Sequence, residues 1–145
     1  MRIAVLNGPN LNLLGEREPE IYGKTTLGEL EQIVRAEASR LGVALEWMQT
    51  NHEGTLVEAV QGLRGRADGA LINAAALSHS SLALRDALLA VRVPFVEVHL
   101  SNIFAREPER RQSRIADLSM GVVAGFGPQS YLLGLGAIVS RLRAA

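Results

Sequence analysis

Five short apolar runs, each followed by a segment of helical period or a polar crossover, leave this chain few folds to adopt. Arg2-Ile3-Ala4-Val5-Leu6 begins a strand over about residues 2–7. Leu27, Leu30, Ile33, Val34, Ala38 and Leu41 then recur at helical spacing, and Gly42 closes that helix. A second strand over residues 43–48 precedes a helix through Leu56, Ala59, Val60 and Leu63 that ends near Gly65. Ala70-Leu71-Ile72 is the third strand, with a helix from about Ser80 to Val91 behind it. Pro94 opens the fourth, Phe95 to Leu100. A charged arm follows, in which five of the six residues 106–111 are Arg or Glu, and leads to a fifth strand at 120–124. Pro128 stands where a first helical turn begins, and the last helix reaches about Arg143.

Strands alternating with helices make a parallel sheet covered on both faces, with right-handed crossovers. The predicted fold is α/β and flavodoxin-like, with strand order 2-1-3-4-5. With 145 residues and no linker, repeat or low-complexity segment, the expectation is one domain over residues 1–145. Fifteen basic residues balance fifteen acidic ones, so no overall field favours nucleic acid or an anionic membrane. The absence of cysteine excludes disulfides, thiol catalysis and thiolate metal sites. There is no signal-peptide pattern and no apolar run of transmembrane length, which leads to the expectation of a cytoplasmic protein. Lys24 is the only lysine, a scarcity that bears on mechanism.

In an open α/β sheet, ligands bind beyond the carboxyl ends of the strands. The first strand delivers Asn7-Gly8-Pro9-Asn10-Leu11-Asn12-Leu13-Leu14-Gly15 there, followed by Arg17 and Tyr22-Gly23. Tight turns account for Asn and Gly. They do not account for a Tyr five residues after an Arg, where a neighbouring cation favours the phenolate. On the fourth strand, Glu97 and His99 alternate onto one face with Phe95. A buried unpaired carboxylate costs several kcal/mol, so the two side chains are expected to satisfy each other, either as a functional pair or as a structural ion pair. The third strand ends at Asn73, and Ser78-His79-Ser80-Ser81 follows. Those serines also suit a helix cap, and His79 taken alone reads as a surface residue. Together, Asn12, Tyr22, Asn73, His79 and His99 all follow carboxyl ends of strands predicted to be neighbours. Other motifs fail. There is no Gly-x-Ser-x-Gly elbow, no metal-ligand spacing among the three histidines, and no acidic cluster after the first strand. Arg106, Arg110, Arg111 and Arg114 form either a solvated face or a contact to an anionic ligand.

At these residues the chain resembles the type II 3-dehydroquinate dehydratases of the shikimate pathway of aromatic amino-acid biosynthesis. The resemblance spans the opening Asn-Gly-Pro-Asn-Leu-Asn block with Arg17, Pro19 and Tyr22-Gly23. It continues through Asn51-His52-Glu53-Gly54, Ile72-Asn73, Ser78 to Ser81 with Arg85-Asp86-Ala87, and Glu97-Val98-His99-Leu100-Ser101-Asn102. It departs from the usual pattern at Ala75, where Gly is commoner, and at Pro108-Glu109. The resemblance implies a flavodoxin-like fold, no metal or organic cofactor, and trimers assembled into a dodecamer. It implies Tyr22 as the base, Arg17 as stabiliser of the charged species and His99 as the acid. Asn12 and Glu97 are then supporting groups. Asn73, His79, Asp86, Arg110 and the backbone at Leu100 and Ser101 are then contacts to the substrate, 3-dehydroquinate, with Arg111 an alternative to Arg110. The expected route is an enolate, with a water held by Asn12 at the enolate oxygen and the loop Gly15 to Gly23 closing as a lid. Asp86 is expected to reach a neighbouring subunit. A Schiff base would need a buried lysine, and only Lys24 is on offer. The competing classes are a flavodoxin-like module that binds a small anion without turnover and an oligomeric scaffold.

Overall fold

The computed structural model describes all 145 residues. Its strands are β1 (Arg2–Asn7), β2 (Ala44–Gln49), β3 (Gly69–Asn73), β4 (Phe95–His99) and β5 (Val122–Ala124). All pair in parallel, in the order β2-β1-β3-β4-β5. Side-chain alternation splits the core in two. Ile3, Val5, Leu71, Val96 and Val98 face α2 (Leu27–Leu41) and α5 (Pro128–Ala144). Ala4, Leu6, Ala70, Ile72 and Phe95 face α3 (Glu53–Gln61) and α4 (Leu82–Val91). Glu97 and His99 share the parity of Phe95 and point to the second face, as the alternation predicts.

The helices stop and start for local reasons. The Thr26 hydroxyl accepts the Glu29 N–H at the start of α2, and Gly42, with φ +72°, ends it. The Ser81 hydroxyl accepts the Leu84 N–H at 2.9 Å and caps α4. Capping accounts for Ser81, so α4 begins two residues later than the sequence pattern suggested. The crossover from β4 to β5 holds no long helix. It runs through three single turns of 3-10 helix, Ile103–Ala105, Pro108–Arg110 and Ala116–Leu118. Three further short elements escaped the pattern: the 3-10 turn Leu11–Leu13, α1 (Pro19–Tyr22) and the 3-10 segment Ala75–His79.

One close approach fixes the active edge. A Cβ on Gly8 would stand 2.4 Å from the Ala74 carbonyl oxygen, so only glycine lets the loop after β1 lie against the loop after β3. The Gly8 N–H donates to the Asn73 carbonyl at 2.8 Å and locks the two loops together.

Candidate active site

The carboxyl ends of β1, β3 and β4 open onto a cavity of about 100 Å³. That is below the size of a drug-like pocket and suits one compact, polar ring. Arg17, Tyr22, Asn73, His79, His99, Leu100, Ser101 and Arg110 all line it, together with Asn10 and Arg106. The expected residues therefore converge, with three exceptions. Asn12 is exposed and outside the lining, its carboxamide oxygen 3.4 Å from Gln49 Nε2. The asparagine of this loop that lines the cavity is Asn10, itself exposed and held at φ +69° with its N–H on Asn51 Oδ1. Asp86 is exposed on α4, and Glu97 lies behind His99 rather than in the wall.

Tyr22 sits between two guanidiniums. The Cζ atoms of Arg17 and Arg106 lie 5.1 and 5.2 Å from its ring centroid. Arg106 Nη1 donates to the Tyr22 oxygen at 2.7 Å. The cation that meets the phenol oxygen is thus Arg106, not Arg17 as the sequence suggested. Neither arginine belongs to an ion pair within the chain. Two cations at one phenol, neither held in an ion pair, give this end of the cavity a positive field that attracts an anionic ligand. No pattern singled out Arg106, because four arginines of the arm share no period.

Glu97 is fully buried and His99 nearly so, at 4% exposure. Glu97 Oε2 lies 2.5 Å from His99 Nε2. That bond leaves His99 Nδ1, which has no partner in the chain, as the nitrogen free to act. The His79 ring stacks on His99 at 6.3 Å between centroids. His79 Nδ1 donates to the Gln112 carbonyl at 2.7 Å, so its Nε2 is the free acceptor.

Asn73 is oriented from behind. Its Nδ2 donates to the Tyr131 oxygen at 2.9 Å, and its Oδ1 accepts the Ala75 N–H at 3.1 Å. The Tyr131 hydroxyl in turn donates to Asn7 Oδ1 at 2.6 Å. Complete burial raises the Tyr131 phenol well above its ordinary range, which keeps it a neutral donor. Sequence reasoning missed Tyr131, an ordinary apolar position by helical period. The backbone N–H groups of Leu100 and Ser101 have no acceptor in the chain and stand at the cavity. Arg110, tied to Glu107 at 2.5 Å, lines the cavity, whereas Arg111 is exposed and donates to the Arg106 carbonyl. Lys24 is exposed and absent from the lining. No group of three or more His, Asp or Glu stands close enough to hold a metal ion.

A cation-flanked phenol and a carboxylate-backed imidazole in one small polar cavity define an acid–base enzyme site at the edge of an α/β sheet. The chain matches the family model "Dehydroquinase class II" over residues 1–139, and it belongs to that family. It is 54% identical to a 3-dehydroquinate dehydratase of Parasynechococcus marenigrum, over 99% of this chain and 98% of that protein. Identity to the 3-dehydroquinate dehydratase of a Nostoc species is 52%, over 99% and 97%. Among solved structures, the type II dehydroquinase from Propionibacterium acnes superposes with a TM-score of 0.92 at 39% identity, covering 96% of each chain.

Proposed function

We infer that this protein is a hydro-lyase that removes water from 3-dehydroquinate to give 3-dehydroshikimate. The observation that carries the reading is the pairing, in one cavity, of a phenol held by Arg106 and Arg17 with the Glu97–His99 couple. The C3 ketone acidifies the neighbouring C2–H. Tyr22, as phenolate, takes that proton, and the electron pair moves into the ring to give an enolate on the C3 oxygen. Asn10, the carboxamide present in the wall, is the donor for that oxygen, directly or through a water. Collapse of the enolate forms the C1–C2 double bond and breaks the C1–O bond. Hydroxide is a poor leaving group, so His99 delivers the proton from Nδ1 and water departs. Glu97 stabilises the imidazolium that does this. Proton return from Tyr22 to His99 through solvent resets the site.

The ligand's carboxylate fits the free N–H groups of Leu100 and Ser101, with Arg110 beside them. Its hydroxyls fit Asn73 and His79. A Schiff-base route has no support, because Lys24 lies outside the cavity. A binding-only module leaves the cation-flanked phenol and the buried Glu97–His99 pair without a task. The reading extends to a single catalytic domain over residues 1–145, in the cytoplasm, working as trimers assembled into a dodecamer. Support for assembly comes from α4. Leu82 and Leu89, 57% and 48% exposed, flank Asp86 on one stripe. Arg85 is spent within the chain on Asp117, at 2.6 and 3.0 Å, so Asp86 has no partner of its own. In a trimer that stripe meets a second copy and carries Asp86 toward its site. No helix is long and apolar enough to cross a membrane.

Tyr22→Phe tests the mechanism. It removes the base and keeps the ring, so turnover is expected to fall by at least about two orders of magnitude with the fold intact. Near-normal turnover in that variant contradicts the role of Tyr22.

A further inference from the structure

A carboxylate as buried as Glu97 needs donors for both oxygens. His99 Nε2 serves Oε2 at 2.5 Å. The second donor comes from the charged arm, where Ser113 Oγ lies 2.7 Å from Oε1 and 3.0 Å from Oε2. Ser113 Oγ also accepts the backbone N–H groups of Ile115 and Ala116, at 3.2 and 3.0 Å. Its lone pairs are therefore occupied, and its proton has Glu97 as its acceptor. The residues on either side of Ser113 dock the same stretch of arm onto the loop after β3. The Gln112 carbonyl takes the His79 Nδ1–H, and the Arg114 N–H donates to the Ser78 carbonyl at 2.7 Å.

We propose that Ser113 is a positioning residue for the dehydration: by donating to Glu97 it holds the carboxylate in its charged form and so keeps the acid proton on His99. This rests on the reading of His99 as the acid. Glu97 and His99 share one proton, which has two arrangements. In the first, a carboxylate faces an imidazolium, and the Nδ1–H at the cavity is a competent acid. In the second, a carboxylic acid faces a neutral imidazole, whose Nδ1–H is far too weak to protonate a departing hydroxide. A hydroxyl donor on the carboxylate favours the first, because bonds to an ionised acceptor are the stronger ones. The other charged or titratable groups around the pair are His79 beside the His99 ring, and Arg17, Tyr22, Arg106 and Arg110 across the cavity. Ile72 and Val122 flank Glu97 within the sheet and bring no charge. On α4, Arg85 is occupied by Asp117 and the Arg114 carbonyl.

A double-mutant cycle separates this role from the turn that Ser113 also caps. Ser113→Ala is expected to lower kcat about ten- to a hundredfold, the scale of a hydrogen bond to a charged group. KM should stay within about threefold, since no substrate contact is lost. The alkaline limb of kcat moves to higher pH, because a carboxylate deprived of a donor lets the pair hold its shared proton more tightly. Ser113→Thr restores kcat. Ser113→Cys, close in size but a poor donor, falls with Ser113→Ala and serves if the alanine variant does not fold. In a Glu97→Gln background, Ser113→Ala costs less than about twofold. An equal cost in both backgrounds, or an alkaline limb that does not move, overturns the proposal. His99→Ala is run alongside, and wild-type turnover in that variant overturns instead the reading of His99 on which the proposal rests.

Discussion

Polar residues placed where a parallel sheet wants apolar ones are what made this site readable. Glu97 and His99 interrupt the apolar run of β4, and both prove buried and bonded to each other. Tyr22 and Arg17 stand out for the same reason: no turn requires them. Which carboxamide of the Asn-rich loop enters the cavity was not legible, since Asn10 and Asn12 are two residues apart and equally suited to a turn. The fold separates them: Asn10, in the left-handed conformation, lines the cavity, and Asn12, inside the 3-10 turn that follows, does not. Asn10→Gly keeps that conformation and removes only the carboxamide, so kcat is expected to drop about tenfold or more. Asn12→Ala is expected to stay within about twofold, as for an exposed side chain away from the chemistry. Steady-state kinetics on the two variants decide it, and the reverse ranking contradicts this assignment.

At the scale of elements, the strands were legible as short apolar runs, because β1, β3 and β4 are buried on both faces, and the four long helices by their period of 3.6 residues. Periodicity could not carry α1 or the 3-10 turns of the arm, which are too short to show a period. Ala75 is the element-scale irregularity with the plainest consequence. It opens the 3-10 segment after β3 at φ +52°, a region that costs a side chain about 1–2 kcal/mol. Ala75→Gly relieves that strain and loses part of the gain to the freer unfolded chain. The expected net stabilisation is up to about 1 kcal/mol, a rise in Tm of roughly 2–4 °C. A calorimetric scan showing a lower Tm contradicts the argument.

At the scale of the molecule, the alternation of elements called for a parallel sheet, and the flavodoxin-like order chosen for it is the one the structure adopts. Its active edge followed from where the polar strand ends lie. The proposed assembly came from the family resemblance, and the surface that would serve it is the exposed stripe of Leu82 and Leu89 around Asp86 on α4. Asp86→Ala is expected to weaken the oligomer or raise KM several-fold while the monomer keeps its fold. Sedimentation and kinetics on that variant read both effects, and a fully active monomeric wild type at micromolar concentration removes Asp86 from the site. The most direct test of the whole account is the purified protein itself, given 3-dehydroquinate in buffer containing a chelator and no added cofactor. The account predicts a saturable rise in ultraviolet absorbance as the conjugated enone forms. Folded protein that produces no such rise contradicts it.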